Sequence, residues 1–450
     1  MTAQPTAVSA PGKVLLAGGY LVLDRQYTGL VFGLSARIHV VVRPRASTDG
    51  VSEEVVVKSP QFEEAVWEYG YRVREEGGGV TVTQLRAASP NPFVETALSH
   101  VLTYLTTLSP SPLPPTSIAI LADNDYYSHP STPSTPRFLH FAVPLPSAHK
   151  TGLGSSAALV TAFTAALLTH HLPSSTFDLN SSASRALLHN LAQAAHCAAQ
   201  GKVGSGFDVA AAVYGSCVYR RFSPDVLSGQ GEAGSAGFVA RLRTTVEDAE
   251  GKWDTEVRKG AVAVPAGLRL VMCDVHGGTQ TPGMVRRVLG WRAEHREEAD
   301  ALWGELQQEN EALAEELRRL AEGGGERGDG KYRRLTECFA AIRTLTRKMS
   351  TAADVPIEPK TQTMLLDACT ALDGVVGGVV PGAGGFDAVA VLIEDRPEVL
   401  DRLKRLVDGY VFDAETDREQ KPGRVKILDV REEMEGVRTE DVAQYQDWLS

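Results

Sequence analysis

Residues 150–158 read Lys-Thr-Gly-Leu-Gly-Ser-Ser-Ala-Ala and open a long apolar helical stretch. Gly152 and Gly154 free the backbone to curl around a bulky anion, and Ser155 and Ser156 place hydroxyls beside it. The helix that follows turns its unpaired N–H groups and positive dipole end toward the same point. Such a turn suits a polyphosphate, so a nucleotide-using enzyme is the leading expectation. It is not a Walker A loop, because no Gly-Lys-Ser/Thr follows the second glycine. Gly152, Gly154 and Ala157 fit the loose dinucleotide pattern G-x-G-x-x-A, and Asp178 lies roughly 20 residues on, as that fingerprint asks. However, Leu172-Pro173-Ser174-Ser175 leads to a second helix rather than a strand, and a strand–helix–strand unit fails. A Gly-Ser turn capping a core helix is the simpler alternative.

Three further segments share this logic. In 10–20, Lys13 follows Pro11-Gly12 and leads through a short apolar strand to Gly18-Gly19-Tyr20, a placement that projects an ammonium into a cleft; a solvated turn lysine is the commoner alternative. In 201–208, Gly-Lys-Val-Gly-Ser-Gly-Phe-Asp, Asp208 sits between a glycine-rich turn and a small-residue helix that it is equally able to cap. A nearby lysine would keep that carboxylate ionised. In 377–387, five glycines precede a hydrophobic strand, more than a tight turn needs, which points to close approach of the backbone to a ligand or another loop.

The bulk numbers narrow the field. At 450 residues and 43% hydrophobic, the chain is long enough for two or three cores. A net charge of −11 argues against a nucleic-acid or acidic-membrane partner, so an anionic substrate needs a local basic pocket. The five cysteines are odd in number and scattered, without a C-x-x-C pair, which points away from a disulfide framework or zinc and toward a reducing compartment. No secretory leader or membrane span is visible, and a cytoplasmic location is expected.

The elements that must position these residues follow from periodicity. Residues 8–42 and 53–58 read as strands, 91–108 as a helix opened by Asn91-Pro92, 118–121 and 138–143 as strands, and 157–171 and 182–200 as helices. Residues 223–260 are Gly-, Ser- and Glu-rich and are expected to be a surface insertion near a domain boundary. Beyond them, 268–275 reads as a strand, 284–321 as one long charged helix on the domain surface, and 332–349 as its return. Helices at 361–372 and 397–406 and strands at 388–393 and 425–430 complete the pattern.

Together the four segments resemble the GHMP family of small-molecule kinases, whose three motifs occur in order at 11–13, 152–157 and 382–385. Within that family the pattern looks most like the eukaryotic, fungal-type phosphomevalonate kinases, through 18–24, 122–128 and 201–208. Relatives acting on mevalonate or galactose typically carry Gly-Glu-His where this chain has Gly18-Gly19-Tyr20.

The resemblance implies an α+β, two-domain GHMP kinase fold. Residues 1–225 would form an N-terminal domain like ribosomal protein S5 domain 2, 226–260 an insertion or linker, and 261–450 a ferredoxin-like domain, with ATP in the cleft between. Residue by residue, Lys150, Gly152, Leu153, Gly154, Ser155, Ser156 and Ala157 would wrap the ATP phosphates, and Asn124 would line the nucleotide side. Ser156 matches the family's Mg²⁺ ligand, Asp208 its catalytic aspartate, and Lys13 a lysine near the transferred phosphate. Tyr20, Lys202, Ser205 and Gly384 would face the substrate. Thr279 and Thr281 either contact its mevalonate end or cap the helix before Met284.

The implied reaction is transfer of the ATP γ-phosphoryl group to 5-phosphomevalonate, giving 5-diphosphomevalonate. The alternatives are another GHMP kinase, such as one acting on mevalonate, or a GHMP-fold sensor without turnover. No partner beyond the small-molecule substrate is expected, and no oligomeric state is assigned. One departure stands out: relatives place a Mg²⁺-binding glutamate about three helical turns before the aspartate, whereas 195–200 here read Ala-His-Cys-Ala-Ala-Gln.

Overall fold

The computed structural model describes residues 4–45, 54–86, 89–109, 113–129, 135–275, 281–323, 330–412 and 424–449. Long β-branched runs build the first sheet: β1 (Thr6–Ala17), β2 (Gly29–Pro44), β3 (Glu54–Lys58), β4 (Val66–Arg74) and β5 (Gly79–Gln84). Helix α1 (Pro92–Leu108) follows, with Pro92 at its first turn and the Asn91 side chain accepting from the Val94 N–H. Strand β6 (Thr116–Ala122) then inserts between β2 and β3, pairing parallel with β3 and antiparallel with β2.

Helix α2 (Ser155–His171) packs on this sheet, α3 (Ser182–Gln200) packs on α1 and α2, and α4 (Phe207–Tyr214) packs on β1 and β2. Small residues let α2 lie close; Ala157, Ala158, Ala162, Ala165 and Ala166 are all buried where it packs on β1 and β2. Strand β7 (Cys217–Arg220) pairs with the start of β2.

Residues 226–260 differ from a surface insertion. They contain most of α5 (Asp225–Ser228), α6 (Phe238–Val246) and β8 (Glu256–Lys259). Phe238, Leu242 and Val246 recur every fourth residue, are fully buried, and pack α6 against α1 and α3, while β8 pairs with β7. Three apolar residues at helical spacing were enough to anchor a segment whose bulk composition is polar.

The second sheet starts with β9 (Leu268–Val275), buried at every position as a central strand covered on both faces must be. The expected long helix is two, α7 (Thr281–Glu294) and α8 (Arg296–Ala321), broken at His295, whose φ of −121° leaves the helical region. Then come α9 (Arg333–Ala352), α10 (Lys360–Thr370), β10 (Val375–Val379), β11 (Ala388–Glu394), α11 (Pro397–Asp408) and β12 (Val425–Ile427). The strand order β12-β9-β11-β10, all antiparallel, is the βαββαβ arrangement of a ferredoxin-like domain.

The chain then returns to the first sheet. Strands β13 (Glu432–Glu433) and β14 (Arg438–Glu440) pair with β2 and β1.

Residues 138–143 form no strand. Phe138 packs edge-on to His39, and Phe141 stacks on Phe62 at 5.0 Å, so their apolar side chains pin a loop instead of joining a ladder. Strands β4 and β5 escaped the sequence reading: β4 carries Glu68, Arg72 and Arg74 on its outer face, and β5 is a short run of valine, threonine and glutamine.

Candidate active site

The glycine-rich segments converge on one cleft of about 490 Å³ between the two sheets. Its lining includes Lys13, Tyr20, Gly152, Lys202, Ser205, Asp208 and Gly384, residues far apart in the chain. Backbone contacts bring them together. The Lys13 N–H donates to the Leu153 carbonyl at 2.9 Å, and the Gly382 N–H donates to the Leu15 carbonyl at 2.9 Å. The first motif therefore lies between the second and the third.

The turn before α2 has the geometry an anion needs. Gly152 and Gly154 adopt φ of +75° and +81°, which only glycine enters easily. A Cβ on Gly154 would sit 2.8 Å from Lys13 Cε, so the lysine stem occupies the space its missing side chain leaves. The first bond inside α2 runs from the Ala158 N–H to Gly154 O at 3.3 Å, leaving the amides of Ser155, Ser156 and Ala157 at the open end. Leu153 and Ala157 themselves are buried and hold the turn to the core.

Lys13 reaches across this turn. Its Nζ donates to Gly152 O at 3.2 Å and lies 5.8 Å from the Phe207 ring centre. Burial pulls its pKa below the ordinary lysine value, and the Asp208 carboxylate opposes that pull. Asp208 stands in the first turn of α4, after Gly206 at φ +80°, with Oδ1 accepting from the Val209 N–H.

Ser156 joins this centre through a residue the sequence reading passed over. His196 Nε2 lies 3.1 Å from Ser156 Oγ, 3.3 Å from Gln200 Nε2 and 3.9 Å from Asp208 Oδ2. Phe93, at the start of α1, stacks on the His196 ring. Gln193, one turn earlier, is fully buried and donates to Gly206 O at 2.7 Å, fixing the turn before Asp208. Gln193, His196 and Gln200 recur every three or four residues along one face of α3, and that polar stripe was the available signal.

The remaining expected residues fall in three places. Tyr20 is 1% exposed and its hydroxyl donates to Ala383 O at 2.7 Å, so it ties the first motif to the third. Lys150, exposed, and Asn124 sit on the flank of the Gly-Ser turn; Lys150 bridges Tyr127 through the backbone, and the Asn124 side chain donates to Pro136 O at 2.8 Å. Thr279 and the Thr281 side chain lie outside the described residues. Among the described residues no cluster of three or more His, Cys, Asp or Glu is poised to hold a metal. The oxygens of Ser156 and Asp208, both hard donors, suit Mg²⁺, which takes few protein ligands and completes its shell with phosphates and water.

Comparison with known proteins agrees with this geometry. Residues 135–216, which contain the Gly-Ser turn and Asp208, match the GHMP kinases N terminal domain family. The chain is 51% identical over 453 residues to the phosphomevalonate kinase of Gibberella zeae, covering 98% of each chain. It is 50% identical over 479 residues to the phosphomevalonate kinase of Aspergillus fumigatus, covering 99% of this chain and 98% of that one. A Streptococcus pneumoniae phosphomevalonate kinase solved with phosphomevalonate and AMPPNP superposes with a TM-score of 0.58 over 94% of this chain and 99% of that chain. At 18% identity that likeness is one of fold. Fold and glycine-rich turns together define a GHMP kinase. With half its residues identical over its full length, the chain belongs to the phosphomevalonate kinase family.

Proposed function

We propose that this chain transfers the γ-phosphoryl group of ATP to the phosphate of 5-phosphomevalonate, giving ADP and 5-diphosphomevalonate. The observation that carries this reading is the single cleft in which Lys13, Lys202 and Asp208 meet the Gly152 turn.

The acceptor sets the chemistry. A hydroxyl must lose a proton to attack, but a phosphate monoester has a second pKa of about 6 and is largely a dianion at neutral pH. A strong general base is then unnecessary, and the main barrier is the repulsion between two polyanions. Catalysis rests on alignment and charge neutralisation. Lys13, held over the Gly152 turn, faces the transferred phosphoryl group. Lys202, exposed at the cleft's edge, faces the acceptor phosphate. Asp208 orients the Lys13 ammonium and the attacking oxygen, and takes a proton only from the minor monoanion. Ser156 and Asp208 would hold Mg²⁺, which when bound offsets charge on the ATP phosphates. Lys150 and Asn124 would flank the nucleotide.

We place the enzyme in the cytoplasm; all five cysteines are buried and unpaired, as a reducing compartment allows, and no described helix is long and apolar enough to cross a membrane. A coupled assay of ADP release across phosphomevalonate, mevalonate, galactose and homoserine tests the reading. Turnover confined to phosphomevalonate is expected, and turnover of mevalonate alone would refute it.

A further inference from the structure

Five arginines are buried among the described residues, and four of them meet a carboxylate. Arg37 pairs with Glu433 and Glu440, Arg269 with Asp429, Arg292 with Asp24 and Asp300, and Arg343 with Glu358 and Asp367. Arg221, just past β7, is 9% exposed and is the exception. Its partners are three backbone carbonyls: Nη1 donates to Leu23 O at 2.6 Å, and Nη2 to Val203 O at 3.2 Å and Gly204 O at 2.8 Å. Its Nε has no partner.

This arginine lines the catalytic cleft, and so do the three residues that hold it. Carbonyls orient a guanidinium, but they do not cancel its charge. A buried cation without an ion-pair partner is costly, and the four paired arginines show how this fold elsewhere avoids one; Asp24, itself bound to Arg292, attracts Arg221 only from beyond ion-pair distance. An anionic ligand in the cleft would supply the missing charge.

We propose that Arg221 is a fixed positive charge beneath the acceptor end of the cleft, selecting an acceptor that carries an anionic group before transfer. This rests on the phosphate-acceptor reading above and names the residue that enforces it. Arg221 acts through its field; the 203–204 carbonyls that hold it adjoin Lys202 and Ser205 and set where that field falls. Its three carbonyl bonds fix its position whether or not the cleft is filled. Lys202, solvent-exposed, is free to follow the ligand; Arg221 is not. An acceptor neutral at this end gains nothing from it.

Three variants separate charge from bracing. Arg221→Gln removes the charge and keeps one amide donor. Arg221→Lys keeps the charge and loses most of the brace. Leu23→Glu leaves Arg221 intact and sets a carboxylate beside it. The readout is KM for phosphomevalonate against KM for ATP. Arg221→Gln and Leu23→Glu should each raise the phosphomevalonate KM about tenfold or more and leave the ATP KM within about twofold, while Arg221→Lys stays within about threefold of the parent. If Arg221→Gln does not fold, Leu23→Glu decides the matter alone. The proposal falls if Leu23→Glu leaves the phosphomevalonate KM unchanged, or if Arg221→Lys is as impaired as Arg221→Gln. If the parent protein fails to turn over phosphomevalonate, the functional reading is what fails. Calorimetric titration with inorganic phosphate then judges the charge separately: weaker binding by Leu23→Glu than by the parent supports it, and equal binding overturns it.

Discussion

The Tyr20 hydroxyl donates to the Ala383 carbonyl at 2.7 Å, joining residues 363 positions apart. It bridges the turn after β1 to the glycine-rich loop between β10 and β11, and so links the walls of the cleft. Close backbone approach reinforces it: a Cβ on Gly19 would lie 2.7 Å from Gly382 O, and one on Gly384 2.2 Å from Ile357 O.

Tyr20→Phe keeps the ring and removes this tie. The Ala383 carbonyl is left without its donor, a loss of about 1–2 kcal/mol. Urea unfolding should show a lower midpoint at unchanged slope, and the acceptor KM should rise several-fold with the ATP KM steady. An unchanged midpoint would mean that the bond does not brace the cleft.

Gly154→Ala asks an alanine to hold φ near +81° with its Cβ against Lys13 Cε. The turn must distort and displace Lys13, at about 1–3 kcal/mol of strain. The ATP KM should rise at least tenfold, by the ratio that about 1.4 kcal/mol sets. Full retention of ATP affinity would exclude this turn as the phosphate cradle.

Asp208→Asn should be mild for a kinase aspartate. Where an aspartate must deprotonate a hydroxyl, general-base catalysis contributes about 10²- to 10⁴-fold. Here the nucleophile is already ionised, so kcat should fall by no more than the bottom of that range, about 10- to 100-fold. The loss should deepen below about pH 6, where the acceptor becomes a monoanion and the carboxylate is needed as a base. Steady-state kinetics from pH 5.5 to 8 check this; a uniform 10⁴-fold loss would restore Asp208 as an obligatory base. In parallel, Lys202→Met should raise the phosphomevalonate KM strongly, and an unchanged KM would remove Lys202 from the site.

Two histidines away from the Lys13–Asp208 centre give the protein an acid limit. His100 and His189 are both buried, and burial pushes each pKa down to about 4. The folded state keeps them neutral, whereas the unfolded chain protonates them near the ordinary histidine value of about 6.5. Their contribution is therefore complete above that value and is lost as pH falls from about 6.5 toward about 4, on the order of 1–2 kcal/mol per histidine by pH 5. Urea midpoints should drop across that window. The His100→Gln, His189→Gln double variant should show a shallower dependence; an identical slope would assign the acid limit to other groups.

Much of this architecture was legible before any coordinates. The spans of α1, α3 and β9 follow from a capping Asn-Pro, from helical periodicity and from an unbroken apolar run, signals that are local. The Gly-Ser turn, Lys13 and Asp208 were legible because glycine marks backbone that must approach something. What escaped depends on distant partners. Phe138 and Phe141 look like strand residues until His39 and Phe62 are in place to receive them. Tyr20 was expected to face the substrate, and only the position of Ala383 shows where its hydroxyl goes. His196 left only a faint mark, a polar stripe on α3 that gains meaning once Ser156 lies within reach, and Arg221 left none, being defined by carbonyl partners distant in the chain.

The central claim is that an acceptor phosphate, not a hydroxyl, attacks the ATP γ-phosphorus in this cleft. Phosphorus-31 NMR of the purified protein with ATP, Mg²⁺ and 5-phosphomevalonate observes the bond directly. The account predicts that the phosphomonoester resonance is replaced by the coupled doublets of a diphosphate ester as ADP accumulates. A phosphomonoester signal that stays intact while ADP builds up would contradict it.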